Sequence, residues 1–148
     1  MTKEPGPMDK FNFLLGTWKL DYKVPKSQFS AGDTGTGEGN FQMILNNRFV
    51  TFNYYSKLSQ AESTAHAVFA WDEKSKLYKY WWFEDSGAFM EASCNFIEEN
   101  TLCLNWHDSL LVQTFRRIDE GKINLQMKYP RNENEYELIL EVVLTRKK

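Results

Sequence analysis

The sequence predicts an all-β protein, a closed ten-stranded antiparallel up-and-down barrel with a short N-terminal helix. Three observations lead there. Apolar and polar residues alternate with a period of two through nearly every segment after Gly16. Turn-forming residues recur about every ten residues. The strands so marked cover more than half of the chain, a share that becomes normal when a meander closes on itself and leaves no edge. A chain of 148 residues has room for one domain. The whole span 1–148 is assigned to it, with residues 1–8 expected to be flexible.

Taken in order, Asp9 is placed to cap a short helix through Phe11, Leu14 and Leu15, which Gly16 would stop. A first strand is expected over Thr17–Pro25. The Gly/Ser/Thr-rich stretch Ser27–Gly39 reads as a mobile loop; its glycines lack the Lys-Ser/Thr and the following helix of a phosphate cradle. Strands then follow over Thr36–Leu45, Arg48–Leu58, Glu62–Trp71, Leu77–Glu84 and Ala88–Ile97. Four more are expected over Thr101–His107, Leu110–Ile118, Lys122–Tyr129 and Tyr136–Arg146. Asp85-Ser86-Gly87, Glu98-Glu99-Asn100 and Asp119-Glu120-Gly121 suit three-residue hairpin loops whose last residue is left-handed. Asn46-Asn47 and Asp108-Ser109 suit two-residue turns.

Loop length fixes which residues of two paired strands share a face. Carried from hairpin to hairpin, these registers collect an inward set: Phe41, Met43 and Leu45; Val50, Phe52 and Tyr54; His66, Val68 and Ala70; Tyr78, Tyr80 and Trp82; Met90, Ala92, Cys94 and Phe96. The set continues through Leu102, Leu104 and Trp106; Leu111, Gln113 and Phe115; Ile123, Leu125 and Met127; and Leu138, Leu140 and Val142. The opposite parity takes Asn40, Gln42, Lys79, Glu91, Asn95, Asn105, His107, Asn124 and Glu141. Locally chosen turns thus agree with one global inside. Cys94 falls inside and Cys103 outside, so the two are not expected to form a disulfide.

Composition excludes several functions. The net charge is −2 and the basic residues are scattered, so a nucleic-acid footprint is missing. No apolar run reaches the ~18–20 residues of a membrane-spanning helix. The polar, proline-bearing start lacks the features of an export signal, which points to the cytoplasm. The only histidines are His66 and His107, and no Cys or His pair has zinc-ligand spacing, so no metal and no cofactor are expected.

Barrel closure would set the first strand beside the last and bring Arg146 over Trp18, a cation–π floor worth about 0.5–2 kcal/mol. A Gly-x-Trp start, a preceding short helix and a final-strand Arg resemble the lipocalin-like (calycin) barrels. Phe13-Leu14-Leu15-Gly16-Thr17-Trp18, then Trp71-Asp72, Tyr78 and Trp82-Phe83-Glu84-Asp85-Ser86-Gly87, are similar to a largely bacterial domain family with that fold and no assigned activity. The likeness spans roughly the first two thirds of the chain and implies a ligand-sized interior. Nitrobindin-like haem barrels share the Gly-x-Trp start, but they hold iron on a late-strand histidine. None follows His107 here, so haem is disfavoured.

The leading functional expectation is non-enzymatic binding of a small hydrophobic or amphipathic molecule inside the barrel. Its wall would be Phe52, Tyr54, His66, Tyr80, Trp82, Met90 and Trp106, with Gln113 as an internal amide and Trp18 and Arg146 as the floor. Arg117, with Tyr54, Tyr78 or Tyr80, is the nearest equivalent to the internal Arg–Tyr carboxylate clamp of intracellular lipid-binding barrels. Two alternatives stand beside it. His66, facing inward, would serve a barrel isomerase or cyclase as proton carrier. Phe69, Trp71, Trp81 and Phe83, assigned to the outer face, would make a homodimer interface. No Gly-x-Ser-x-Gly elbow and no inward carboxylate beside His66 support catalysis.

Overall fold

The computed structural model describes residues 6–59, 61–107 and 110–147. Its chain forms a 3-10 helix, Pro7–Leu14, and ten strands: β1 (Gly16–Val24), β2 (Asp33–Ile44), β3 (Phe49–Leu58), β4 (Ala61–Asp72), β5 (Leu77–Glu84), β6 (Phe89–Glu98), β7 (Thr101–Trp106), β8 (Val112–Asp119), β9 (Lys122–Pro130) and β10 (Tyr136–Arg146). Each strand pairs antiparallel with its sequence neighbours, and β1 pairs with β10 to close the barrel. The all-β meander read from the alternation pattern is the observed fold. No helix among the described residues is long and apolar enough to cross a membrane.

The N-terminal helix plugs one end. Phe11, fully buried, packs against Phe69, Tyr78 and Phe96 with ring centroids 5.0–5.4 Å apart. The Tyr78 hydroxyl donates to the Pro7 carbonyl at 2.5 Å. Met8 is buried too, and Pro7 and Met8 belong to the helix; of the start expected to be flexible over 1–8, residues 1–5 lie outside the described residues. Gly6, not Asp9, takes the N-cap position, and the Asp9 carboxylate at N3 accepts the Gly6 N–H at 2.8 Å.

Arg146 ties this floor together. Its guanidinium lies 4.2 Å from the Trp18 ring centroid and donates to the carbonyls of Leu15, Phe13 and Glu120 at 2.6, 3.3 and 3.3 Å. The Trp18 indole N–H donates to the Leu14 carbonyl at 2.7 Å. Gly16 has φ +122°, and a Cβ there would sit 2.6 Å from Arg146 Nη1. The Gly-x-Trp start is therefore what lets the arginine reach the helix carbonyls.

Most predicted registers hold. Met43 pairs with Val50, Phe83 with Phe89, Phe96 with Leu102, Leu104 with Gln113, and Gln113 with Met127. Gly87 and Asn100 are left-handed as their loops demand, whereas Gly121 is not; the Asp119 carboxylate holds its N–H at 2.8 Å instead. Leu45 belongs to a four-residue turn with positive φ at Leu45, Asn46 and Asn47, and it is exposed. The Asp108-Ser109 turn lies outside the described residues. A bulge between Leu138 and Leu140 moves Leu138 onto the outward parity, opposite Lys128.

Two differences matter for function. β2 begins at Asp33, so the stretch read as loop is largely strand, and Gly35, Gly37 and Gly39 alternate on its inward parity beside Tyr22, Leu20 and Trp18. A Cβ on Gly39 would meet the Phe52 ring at 2.4 Å, so its absence leaves room for that ring against the strand. Strand β4 is shifted by one residue. Leu58 pairs with Ala61, so Tyr54 faces Ala65 rather than His66, and Asp72 pairs with Leu77 across four residues. The second of these turns is built by Asp72, whose carboxylate accepts the Lys74 N–H at 3.0 Å and the Ser75 hydroxyl at 2.9 Å, while Lys76 takes φ +59°. The two shifts cancel, which is why β5 keeps its predicted faces.

Candidate functional site

The barrel interior is divided in two. Next to the floor it is filled: Phe41 and Phe52 stack at 3.9 Å between ring centroids, Phe115 meets Phe41 edge-on at 6.3 Å, and Phe69 completes the layer. Toward the opposite end lies a cavity of about 230 Å³, lined by sixteen side chains from eight strands and the segment before β8. Tyr22, Tyr54, Trp82, Met90, Leu111, Met127 and Leu140 on its wall are half-buried, so the cavity reaches solvent at the end away from the helix. Deeper, Leu20, Phe52, Tyr80, Phe115, Leu125, Val142 and Leu144 are buried.

Of the residues expected to form the pocket, Phe52, Tyr54, Tyr80, Trp82, Met90, Trp106 and Gln113 all line this cavity. His66 does not. The shifted register of β4 turns it to the outer face, where its ring Nδ1 hydrogen-bonds the Asn53 side chain. A barrel isomerase driven by His66 therefore loses its proton carrier. Arg117 is on the inward parity but lies beyond Phe115 at the helix end, exposed, with its Nε donating to the Asp119 carbonyl at 3.4 Å. The carboxylate clamp expected of Arg117 with the tyrosines is absent, because Arg117 and the cavity are at different levels of β8.

The outer aromatic cluster is regrouped by the same shift. Phe69 is fully buried in the core, and Trp71 faces inward against Tyr78 at 4.7 Å, its indole N–H donating to Glu73 at 2.7 Å. Trp81 and Phe83 remain outside, and exposed Phe89 joins them by pairing with Phe83. Val68, opposite Trp81, completes that face.

Sequence reasoning missed Tyr22 as a wall residue, because the parity of β1 was not carried round from its neighbours. Its link to Val142 across the closing pair was the available signal. The inward set holds Leu111 and Leu140 without assigning them to the wall, and it does not include Leu20 and Leu144; all four line the cavity.

The cavity wall is uncharged. None of its lining residues is Asp, Glu, Lys, Arg or His. Burial pushes the Tyr54 hydroxyl up to about 12, with the carboxylate of Glu84 pushing the same way and the hydrogen bond from Trp82 opposing; Trp82 Nε1 donates to the Tyr54 hydroxyl at 2.6 Å. Burial also raises Tyr22 and Tyr80, each with a further push from Tyr54. The amide of Gln113, a residue only 7% exposed, and the Tyr80 hydroxyl face this space, and no side-chain hydrogen bond of either is found among the described residues. The indole N–H of Trp106 is buried and unpartnered, with its ring edge-on to Tyr80 at 5.3 Å. Unpaired polar groups are rare in protein interiors and call for an explanation. No cluster of His, Cys, Asp or Glu among the described residues is arranged to hold a metal ion.

No protein-family model matches this chain, and no curated protein matches it by sequence. Solved structures do. Rv2717c from M. tuberculosis is similar over 98% of this chain and 100% of its own, at 12% identity and a TM-score of 0.70. The S-type phycobiliprotein lyase CPES from Guillardia theta is similar over 95% of this chain and 92% of its own, at 8% identity and a TM-score of 0.63. The fold is that of a lipocalin-like barrel. A de novo designed fluorescence-activating β-barrel is also similar, at 10% identity and a TM-score of 0.52, over 94% and 98% of the two chains. At such identities the likeness shows the fold alone, and function has to be argued from the site.

Proposed function

We propose that this protein binds one small hydrophobic or amphipathic molecule in the half of the barrel away from its helix, without transforming it. The observation that carries this reading is the apolar, aromatic-walled cavity of about 230 Å³ that reaches solvent at one end. A cavity of about 150 Å³ lined by aliphatic and aromatic groups already admits benzene, while pockets for drug-sized ligands start near about 300 Å³. The guest is accordingly a compact one- or two-ring molecule, too small to be a porphyrin. The names of two similar barrels, a phycobiliprotein lyase and a fluorescence-activating design, favour a small-molecule role over a purely structural one.

Binding rather than catalysis is favoured because no group in the wall is poised to move a proton near neutral pH. The tyrosines are pushed upward and His66 is outside. Calorimetric titration with indane tests the reading. The expected result is saturable one-to-one binding that disappears in Met127→Trp, where the larger ring fills the cavity of a still folded barrel. Equal binding by Met127→Trp contradicts it, and so does failure of the unmodified protein to bind either indane or its neutral one-oxygen and lactam analogues.

A further inference from the structure

The cavity has a chemical preference as well as a size, and the reasoning rests on the binding function proposed above. Gln113 sits on β8 between Leu104 of β7 and Met127 of β9, in an inward row with no polar neighbour. The residue is 7% exposed and lines the cavity, its amide is not sealed off from that space as the Trp106 indole N–H is, and no side-chain hydrogen bond of Gln113 is found among the described residues. An amide offers one acceptor oxygen and two N–H donors along one planar edge. In the same lumen the Trp106 indole N–H is buried without a partner, whereas the Tyr54 hydroxyl is already engaged by Trp82. A guest that pairs with such groups gains hydrogen bonds in a low-polarity space, each worth about 0.5–1.5 kcal/mol net.

The charge pattern narrows the guest further. No cation lines the cavity, and Arg117, the residue that would have received a carboxylate, is at the other end of the barrel. Glu84 lies on the inward parity at the open end, opposite Ala65, where it repels anions. A carboxylate or phosphate entering here would lose its hydration with nothing to replace it.

We infer that the cavity selects an uncharged one- or two-ring ligand that carries a hydrogen-bond donor and acceptor side by side, as a lactam does, and that the Gln113 amide reads that edge. The ring packs against the Phe52 and Tyr54 wall, whose rings stack at 4.6 Å. Two parallel hydrogen bonds form between the ligand edge and the Gln113 amide. An acceptor-only ligand satisfies half of that edge, and a hydrocarbon leaves it bare.

Four ring compounds of nearly equal size separate these cases: oxindole with a lactam edge, 1-indanone with an acceptor alone, indane with neither, and indane-2-carboxylate with a charge. Each is titrated calorimetrically into the unmodified protein, Gln113→Leu and Gln113→Met, with folding of the variants checked by circular dichroism. The expected result is that both variants weaken oxindole about tenfold or more relative to indane, the value of one to two lost hydrogen bonds. In the unmodified protein, indane-2-carboxylate binds more weakly than any neutral compound. If oxindole and indane keep the same affinity ratio in all three proteins, or the carboxylate binds as well as oxindole, the assignment of Gln113 is overturned while small-molecule binding stands. If none of the four binds the unmodified protein, the binding function itself falls.

Discussion

At the scale of single residues, the chain places its polar groups by what surrounds them. Tyr22, Tyr54 and Tyr80 all project into the cavity, and burial is the first cause of the upward push on each hydroxyl. Each therefore keeps its proton to higher pH in the folded chain than in the unfolded one, where tyrosine ionises near 10.0. Between there and about 12, where Tyr54 follows, the unfolded state binds fewer protons, so stability falls as pH rises. Cys94, buried and pushed from 9.0 to about 12, acts in the same direction. Below pH ~8 these groups contribute no slope. Urea midpoints measured at pH values from about 7 to 11 are expected to stay level up to about 8, to fall gently as Cys94 takes effect, and to fall more steeply above about 9–10 as the tyrosines join it. A midpoint that stays level up to pH ~11 would mean that these hydroxyls are not desolvated. The roles of Gly16, Trp18 and Arg146 were legible from sequence because each type is nearly irreplaceable where it stands. Gln113 was legible as an internal amide through its parity, but its lack of a partner is a three-dimensional fact that no spacing encodes.

At the scale of elements, the instructive case is β4. Its neighbours were placed correctly because their turns carry Gly, Asn or Asp at positions that demand them, as in Asp85-Ser86-Gly87. Around β4 that help is missing. The run Ala65-His66-Ala67-Val68-Phe69-Ala70-Trp71 is apolar on both parities, so alternation cannot say which face is inward. The connection after Leu58 has no glycine, and the one after Asp72 is a four-residue turn held by side-chain hydrogen bonds. His66 and Phe69 exchanged faces as a result. The bulge before Leu140 was hidden for a similar reason, since Leu138-Ile139-Leu140 is apolar throughout. The N-terminal helix also acts as an element in its own right, because Phe11 and its partners close the lower end together with the Trp18–Arg146 floor. Phe11→Ala is expected to cost about 3–5 kcal/mol in urea unfolding, the range for removing a fully buried phenyl ring. A loss below about 1 kcal/mol would show that the helix is not a structural plug.

At the scale of the whole molecule, the barrel is a closed sheet with two unlike halves. The half beside the helix is packed with Phe11, Phe41, Phe69, Phe96 and Phe115. The other half gives up that packing for an uncharged space walled by tyrosine, tryptophan, methionine and leucine. The strand β1–β2 connection reaches over to the β9–β10 hairpin at this end: Phe29 meets Tyr129 edge-on at 5.1 Å, and the Gln28 N–H donates to the Glu137 carboxylate at 3.1 Å. Sequence showed that aromatics were abundant and mostly inward. It could not show that they crowd one end and leave the other open, because the sizes of side chains that meet across a barrel depend on shear and on the flat seating of Phe52 beside Gly39.

The central claim is that the guest occupies the open half of the lumen and not the outer face of Trp81, Phe83 and Phe89. A crystal structure of the protein soaked with oxindole tests it most directly. The account predicts density for one planar ring system inside the barrel, against Phe52 and Tyr54, with its lactam edge on the Gln113 amide. Oxindole found only on the outer aromatic face, or a lumen closed by repacked side chains with no density in it, would contradict the account.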